Sequence, residues 1–388
     1  RSLISVSDKK SIVAFSKDLA NENVDIISTG NTFKELKKNK ISVTNIEEVT
    51  TFPEILGGRV KTLHPKIFGG ILANNLEQSH LRQLKQHSIY EIQLVVVNLY
   101  PFEETVKISN NINKCLENID IGGPSLIRAA AKNFLSTAIV TEKEDYDKVI
   151  DEIKKLGGVS LELRKHLANK AFKKTMHYDN TIFNWFSSKI AKNNKEYLFL
   201  EGVKIDDLRY GENPHQAASI FSFNNKKEEK FFEQINGKEL SFNNLNDLRG
   251  GLSLLSEFKN PAAVIIKHAI PCGVAETNNI YSSWMKAYQV DELSAFGGVV
   301  ALNGNVDRKL AVKLSSIFLE VIAAKAFSKE ALEVLNKKKN LRVLKIIGLK
   351  KFKKQKPQSI ITMPDIFLVQ NCDTSNITKK NIKVVSKK

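Results

Sequence analysis

Two stretches of this chain are apolar at every residue, Leu94-Val95-Val96-Val97 and Ala262-Ala263-Val264-Ile265-Ile266. A strand with one face in water alternates apolar and polar residues. A strand without that alternation is buried on both faces, as in a sheet covered by helices on either side. Around the first stretch, strand-like runs at residues 3–7, 24–28, 41–43 and 137–141 alternate with helical patterns. A helix predicted over residues 9–22, with Asp8 as its N-cap, puts Ile12, Phe15 and Leu19 on one face. Strands alternating with helices specify a parallel sheet in an α/β domain. Such sheets bind ligands beyond the carboxyl ends of their strands.

Several polar segments fall at those ends. Ser5-Val6-Ser7-Asp8-Lys9 and Ser28-Thr29-Gly30-Asn31-Thr32 offer hydroxyls and helix-start amides, the parts of a phosphate cradle. Plain helix capping by the same residues is the competing role. In Leu56-Gly57-Gly58-Arg59-Val60-Lys61-Thr62-Leu63-His64-Pro65, two glycines let the backbone approach a ligand closely, and four polar or cationic side chains follow. That loop suits an anionic small molecule, although a Gly-rich basic loop also reads as a solvated turn. Pro65 holds the residue before it extended. Asn98-Leu99-Tyr100-Pro101-Phe102 places a phenol at a strand end, where it either acts or packs under a loop. Asp120-Ile121-Gly122-Gly123-Pro124-Ser125 feeds a helix that reaches Lys132.

The second half begins after a polar linker at residues 191–196, with a strand-like run at 197–200. Arg209 and Tyr210 sit in a loop rich in turn formers. A polar turn at 236–244 leads into a helix carrying Leu248, Leu252 and Leu255. The buried strand at 262–266 delivers Lys267 and His268 to its end, just before Pro271-Cys272-Gly273, a placement suited to chemistry. Asp291-Glu292-Leu293-Ser294-Ala295-Phe296-Gly297-Gly298 opens another strand. Two domains are expected, at residues 1–192 and 197–388.

Composition narrows the class. No apolar run reaches the eighteen or so residues of a membrane span, and residues 1–6 carry no signal-peptide pattern. Three cysteines without paired spacing argue against a disulfide framework or a cysteine-based zinc site, and fit a reducing cytoplasm. The net charge of +17 raises nucleic-acid binding. The lysines, however, are spread along the chain, and the dense basic stretch at 350–356 has a single aromatic, Phe352, and so no stacking platform. Nucleic acid is therefore a minor expectation, and an anionic metabolite the main one.

The loops just described, in this order, resemble the bifunctional AICAR transformylase/IMP cyclohydrolase family. The resemblance implies a methylglyoxal-synthase-like parallel-sheet domain followed by a cytidine-deaminase-like transformylase domain that uses no zinc. It implies that Lys61 and Tyr100 stabilise an oxyanion and donate a proton, and that Asp120 and Lys132 form the basic pair, in the cyclodehydration of formyl-AICAR to IMP. Ser5, Ser7, Lys9, Ser28, Thr29, Gly30, Arg59, Thr62, Asn98 and Gly122 would hold the nucleotide. In the second domain it implies His268 as base and Lys267 as stabiliser for formyl transfer from formyltetrahydrofolate to AICAR, with Arg209 and Tyr210 on AICAR and Asp291 near the folate. No metal is implied, and a homodimer is.

The chain departs from the family pattern in places. Asn31 replaces a glycine, with no loss expected because asparagine tolerates a left-handed backbone. Ile270 replaces an asparagine, which removes a side-chain amide and is expected to weaken formyl transfer. The resemblance stops short of the family's usual end, so an intact cyclohydrolase and an incomplete transformylase are expected, with residues 366–369 as an exposed apolar edge. The alternatives are a monofunctional cyclohydrolase with a vestigial second domain and a non-catalytic nucleotide-binding module.

Overall fold

The computed structural model describes residues 1–191, 197–223, 231–349, 352, 358–373, 381–383 and 385–386. Most of the predicted linker at 191–196 and most of the basic stretch at 350–356 lie outside the described residues. The chain divides into two compact units, Arg1–Phe199 and Leu200–Lys388.

In unit 1 the strands are β1 (Ser2–Val6), β2 (Ile26–Ser28), β3 (Thr44–Asn45), β4 (Leu94–Asn98) and β5 (Ala138–Val140). They form one sheet in the order β3-β2-β1-β4-β5, with every pairing parallel. The register runs from Ser2 opposite Leu94 to Val6 opposite Asn98, which brings the carboxyl ends of β1 and β4 level. The helices are α1 (Ile12–Asn21), α2 (Gly30–Lys38), α3 (Ile46–Thr50), α4 (Pro65–Leu72), α5 (Gln78–Gln86), α6 (Phe102–Ile108), α7 (Ile112–Glu117), α8 (Gly122–Lys132), α9 (Tyr146–Leu156) and α10 (Leu161–Phe186). The central strands are sealed: Leu3, Ile4, Val95 and Ile139 are 0% exposed. Each such side chain is worth about 1.5–3 kcal/mol of burial. Phe15 of α1 stacks on Tyr146 of α9 at 4.3 Å, closing one flank.

Some local expectations fail for identifiable reasons. Asp8 does not cap α1; its carboxylate takes the Lys10 amide at 3.0 Å, and the helix starts only after Ser11 at φ 62°. The cause is Asn98, whose Oδ1 accepts from the Ser7 and Asp8 amides at 2.5 and 3.0 Å and draws the loop toward β4. The third strand forms at Thr44–Asn45 rather than 41–43, and residues 197–200 form no strand. The positive φ in the second loop falls on Gly30, at 45°, while Asn31 lies inside α2.

Unit 2 contains β6 (Val203–Leu208), β7 (Ala218–Ser222), β8 (Phe232–Asn236), α11 (Phe242–Leu255), β9 (Ala262–Lys267), β10 (Ile270–Glu276), α12 (Ile280–Val290), β11 (Gly298–Val306), α13 (Arg308–Ser315), β12 (Leu319–Phe327), α14 (Lys329–Leu335), β13 (Arg342–Ile346), β14 (Ser359–Met363) and β15 (Ile366–Gln370). Its main sheet is mixed, in the order β10-β9-β11-β12-β13-β8. Strand β9 shows why its sequence lacks alternation. Ala263 and Ile265 join the cluster containing Trp284, Leu310 and Leu335. Ala262, Val264 and Ile266 join the cluster with Leu248, Leu252 and Leu255 of α11. Both faces are covered. The β14–β15 hairpin is different: Ile361, Ile366, Phe367 and Leu368 are each more than half exposed.

Candidate active site

The carboxyl ends of β1, β2 and β4, the 56–62 loop and the start of α8 enclose a cavity of about 820 Å³. Ser5, Ser7, Lys9, Thr29, Arg59, Lys61, Thr62, Asn98, Tyr100, Asp120 and Gly122 all line it. Segments far apart in the chain thus converge on one space, because a parallel sheet delivers every strand's end to the same edge.

Each wall has a local reason. Ile55 bridges Val60 in antiparallel fashion, so the 56–59 segment is a tight turn, with Gly57 and Gly58 at φ 64° and 93°. Gly58, at φ 93°, occupies backbone that strains any residue with a Cβ, so the turn favours glycine there. Pro65 stands at the first position of α4 and His64 is extended at φ −140°, as the residue before a proline must be. The Ser5 and Thr29 hydroxyls meet at 3.2 Å, and Thr32 is clamped to Val6 N and O at 3.2 and 3.0 Å. The first turns of α2 and α8 border the cavity, and the positive ends of their helix dipoles favour an anion there.

Asp120 is the focus of the electrostatics. Its Oδ1 accepts the Gly123 amide at 2.8 Å. Burial pushes its carboxyl up from the ordinary value, against the Gly123 amide, the Lys61 ammonium and the Tyr100 backbone. A carboxylate raised by burial and faced by an ammonium is the arrangement expected of a proton-transfer group. A Cβ at Gly123 would lie 2.3 Å from Asp120 Oδ2, so that glycine is what leaves room for the carboxylate.

Other expected site residues stand elsewhere or do other work. Ser28 is fully buried and donates to Ile4 O at 2.8 Å, holding β2 to β1 beneath the cavity floor. Asn98 does line the cavity, yet its amide is spent on the Ser7–Asp8 backbone. Gly30 sits against Lys61, where a Cβ would come within 3.7 Å of Nζ. Lys132 is exposed at the far end of the eleven-residue α8. At 1.5 Å per residue it lies roughly 15 Å along the helix from the Asp120 end, so the Asp120–Lys132 pair is not made. Arg59 forms an ion pair with Glu117 at the rim, both side chains mostly exposed. Asn118 and Ile119 line the cavity too, and nothing in the local sequence marks them for that place.

In unit 2, Lys267 ends β9 and donates from Nζ to Phe296 O at 2.8 Å. His268 and Ala269 make the β9–β10 turn with φ of 52° and 62°, a left-handed conformation costly for side chains with a Cβ. Asp247 of α11 holds this turn by accepting the Ala269 amide at 2.7 Å. Arg209 N and Phe242 N tie the Arg209–Tyr210 segment to the start of α11 through Leu240 O and Tyr210 O. The Arg209 guanidinium lies 5.4 Å from the Tyr210 ring centroid. Asp291 accepts from Ser294 N and Oγ at 2.9 and 2.6 Å, and these bonds hold its carboxyl below the usual range. The clusters are therefore linked through α11 and the strained turn. Ile270 opens β10 opposite Lys267 with its side chain exposed.

Comparison with known proteins identifies the family. Residues 11–125 match the MGS-like domain model. Residues 130–388 match the model of the AICARFT/IMPCHase bienzyme. This chain belongs to that family. The bifunctional purine biosynthesis protein PurH of Thermoanaerobacter sp. strain X514 is 48% identical, over all of this chain and 76% of the relative. The PurH proteins of Acetivibrio thermocellus and Clostridioides difficile are 43% and 44% identical with the same coverage. The MGS-like match takes in β2, β3 and β4 of the parallel sheet of unit 1, and the bienzyme match takes in β5 and the whole mixed sheet of unit 2.

Proposed function

We propose that the unit 1 cavity closes the purine ring of formyl-AICAR, with Asp120, Lys61 and Tyr100 carrying the proton and charge movements. The chain is an enzyme of purine biosynthesis, acting in the last two steps to IMP: formyl transfer to AICAR, then cyclodehydration. The observation that carries the site reading is the convergence of Lys61, Tyr100 and Asp120 with the Ser5–Thr29 hydroxyls and two helix starts on one cavity. A non-catalytic nucleotide module would need the cradle but not the buried carboxylate.

Both reacting groups belong to one substrate, so positioning supplies much of the rate. Asp120 takes a proton from the carboxamide nitrogen as that nitrogen bonds to the formyl carbon. The carbonyl pair becomes an oxyanion, which Lys61 stabilises. Lys61 or Tyr100 protonates it to a hydroxyl, Asp120 returns its proton so that the hydroxyl leaves as water, and the former formamido nitrogen gives its proton back to the Lys61 or Tyr100 donor. The phosphate sits among Ser5, Ser7, Lys9, Thr29 and the α2 amides; Arg59 meets it by exchanging its Glu117 pair for the phosphate.

In unit 2, His268 assists the AICAR amine in attacking the formyl group of formyltetrahydrofolate, and Lys267 stabilises the developing charge. Arg209 and Tyr210 engage AICAR and Asp291 faces the folate. Cytoplasmic residence and a homodimer complete the reading; light scattering at micromolar concentration tests the dimer. The decisive experiment for unit 1 supplies formyl-AICAR alone to the wild-type chain and to Lys61→Met. IMP from the first and not the second supports the site, and equal rates sink it.

A further inference from the structure

We infer that Tyr178 is a positioning residue for ring closure, its buried phenol fixing the backbone that presents Asp120 to the cavity. The inference rests on the reading of Asp120 as the base. Tyr178 lies on α10, 58 residues from Asp120 in sequence, and is 7% exposed. Its hydroxyl accepts the Asp120 amide at 2.8 Å and donates to Asn118 O at 3.2 Å. One phenol thus spans both ends of the Asn118-Ile119-Asp120 segment, all of which lines the cavity. The segment is too short to hold its own shape: α7 ends at Glu117 and α8 begins at Gly122.

The phenol is itself fixed. Phe102 packs edge-on against Tyr178 at 6.2 Å and against Trp185 at 5.5 Å, with buried Cys115 in the same cluster. Phe102 N also donates to Tyr100 O at 2.8 Å. The cluster therefore supports the segments bearing both Tyr100 and Asp120. Burial pushes the Tyr178 hydroxyl up to about 12, so it keeps its proton and stays a donor to Asn118.

The titratable groups around Asp120 are Lys61, Tyr100 and Tyr178, with Asp179 next along α10. Removing the hydroxyl frees the Asn118–Asp120 backbone and admits water to the carboxylate. Its pKa then falls toward the ordinary value, and the acid limb of the kcat/KM profile, which reports the base in the free enzyme, moves to lower pH.

The test compares Tyr178→Phe, Trp185→Phe and Asp120→Asn with the wild-type 388-residue chain, using formyl-AICAR as substrate across pH. Tyr178→Phe is expected to lower kcat about ten- to a hundredfold, with KM changed less than about threefold and the acid limb shifted down. Trp185→Phe loosens the same cluster without touching the hydroxyl; it is expected to lower the melting temperature and leave the limb in place. An unmoved limb in Tyr178→Phe, or an equal shift in Trp185→Phe, overturns the inference. If Asp120→Asn is inactive while Tyr178→Phe is unchanged, positioning fails and the site reading stands. If Asp120→Asn is fully active, both fall.

Discussion

The cavity of unit 1 and the Lys267–His268 turn of unit 2 hold their reactive groups by opposite means. Asp120 is half-buried, braced by the Gly123 amide and the Tyr178 phenol, and faced by Lys61. His268 is exposed on a turn whose two residues occupy left-handed backbone, with Asp247 as the brace. In the first case burial and a fixed field set the chemistry, and the protein bears a desolvation cost. In the second the backbone carries the strain and the imidazole remains in water. Substitutions should separate the two: in unit 1 they should trade activity against stability through charge, in unit 2 through backbone conformation.

The largest expected effect is at Lys61. Lys61→Met removes the one cation, among the described residues, that acts on the Asp120 carboxyl, and ring closure from formyl-AICAR should fall by about 10²–10³, the size of losing one oxyanion donor. Circular dichroism should show the fold intact, since Lys61 makes no core contact. Next comes Gly123→Ala. The new Cβ would displace the Asp120 carboxylate, which it would otherwise meet at 2.3 Å. Ring closure should drop about a hundredfold, the cost of misplacing a reacting group by an ångström or so. Alanine in place of glycine favours a helix by up to about 1 kcal/mol, so melting should change little while activity collapses. Parallel losses of stability and activity would show that Gly123 is a packing residue and would break the contrast.

Asp120→Asn sharpens the contrast through pH. The Asp120 pKa is raised in the folded state by burial. A raised acid binds its proton more tightly when folded, so its contribution to stability is most favourable at low pH and declines as pH rises through the folded pKa. At neutral pH the buried charge therefore destabilises, and Asp120→Asn should melt higher than wild type while failing to close the ring. The difference should shrink as pH falls below the ordinary aspartate range. Urea unfolding at two pH values measures it.

Much of this arrangement is readable from residues. Leu94-Val95-Val96-Val97 marks a doubly covered strand, and the glycines at 57–58 mark a tight turn that the left-handed φ values bear out. What cannot be read depends on partners distant in sequence. Asp8 looks like a cap until Asn98, 90 residues on, takes its amide. Ser28 looks like a ligand until the pleat turns it under the sheet to Ile4. The family resemblance implies an Asp120–Lys132 pair, whereas the eleven-residue helix between them keeps their ends apart. Tyr178 carries no local signal, because an aromatic on a long amphipathic helix is ordinarily core. Its role arises only from the loop that folds over it.

The smallest expected effect tests the unit 2 side. Ala269 sits at φ 62°, where a Cβ costs about 1–2 kcal/mol. Glycine removes that cost but pays about 0.5–1 kcal/mol in unfolded-state freedom. Ala269→Gly should thus stabilise the chain by roughly 0.5–1 kcal/mol in chemical denaturation. If the turn's strain also aims His268, relaxing it should lower formyl transfer to AICAR even as stability rises, a trade made through backbone conformation rather than through charge as at Asp120. A stabilised variant with undiminished transfer would mean that the Asp247 hydrogen bond to the Ala269 amide, not the strain, orients the imidazole. Asp247→Asn, which keeps a weaker acceptor in the same place, should then show the loss instead.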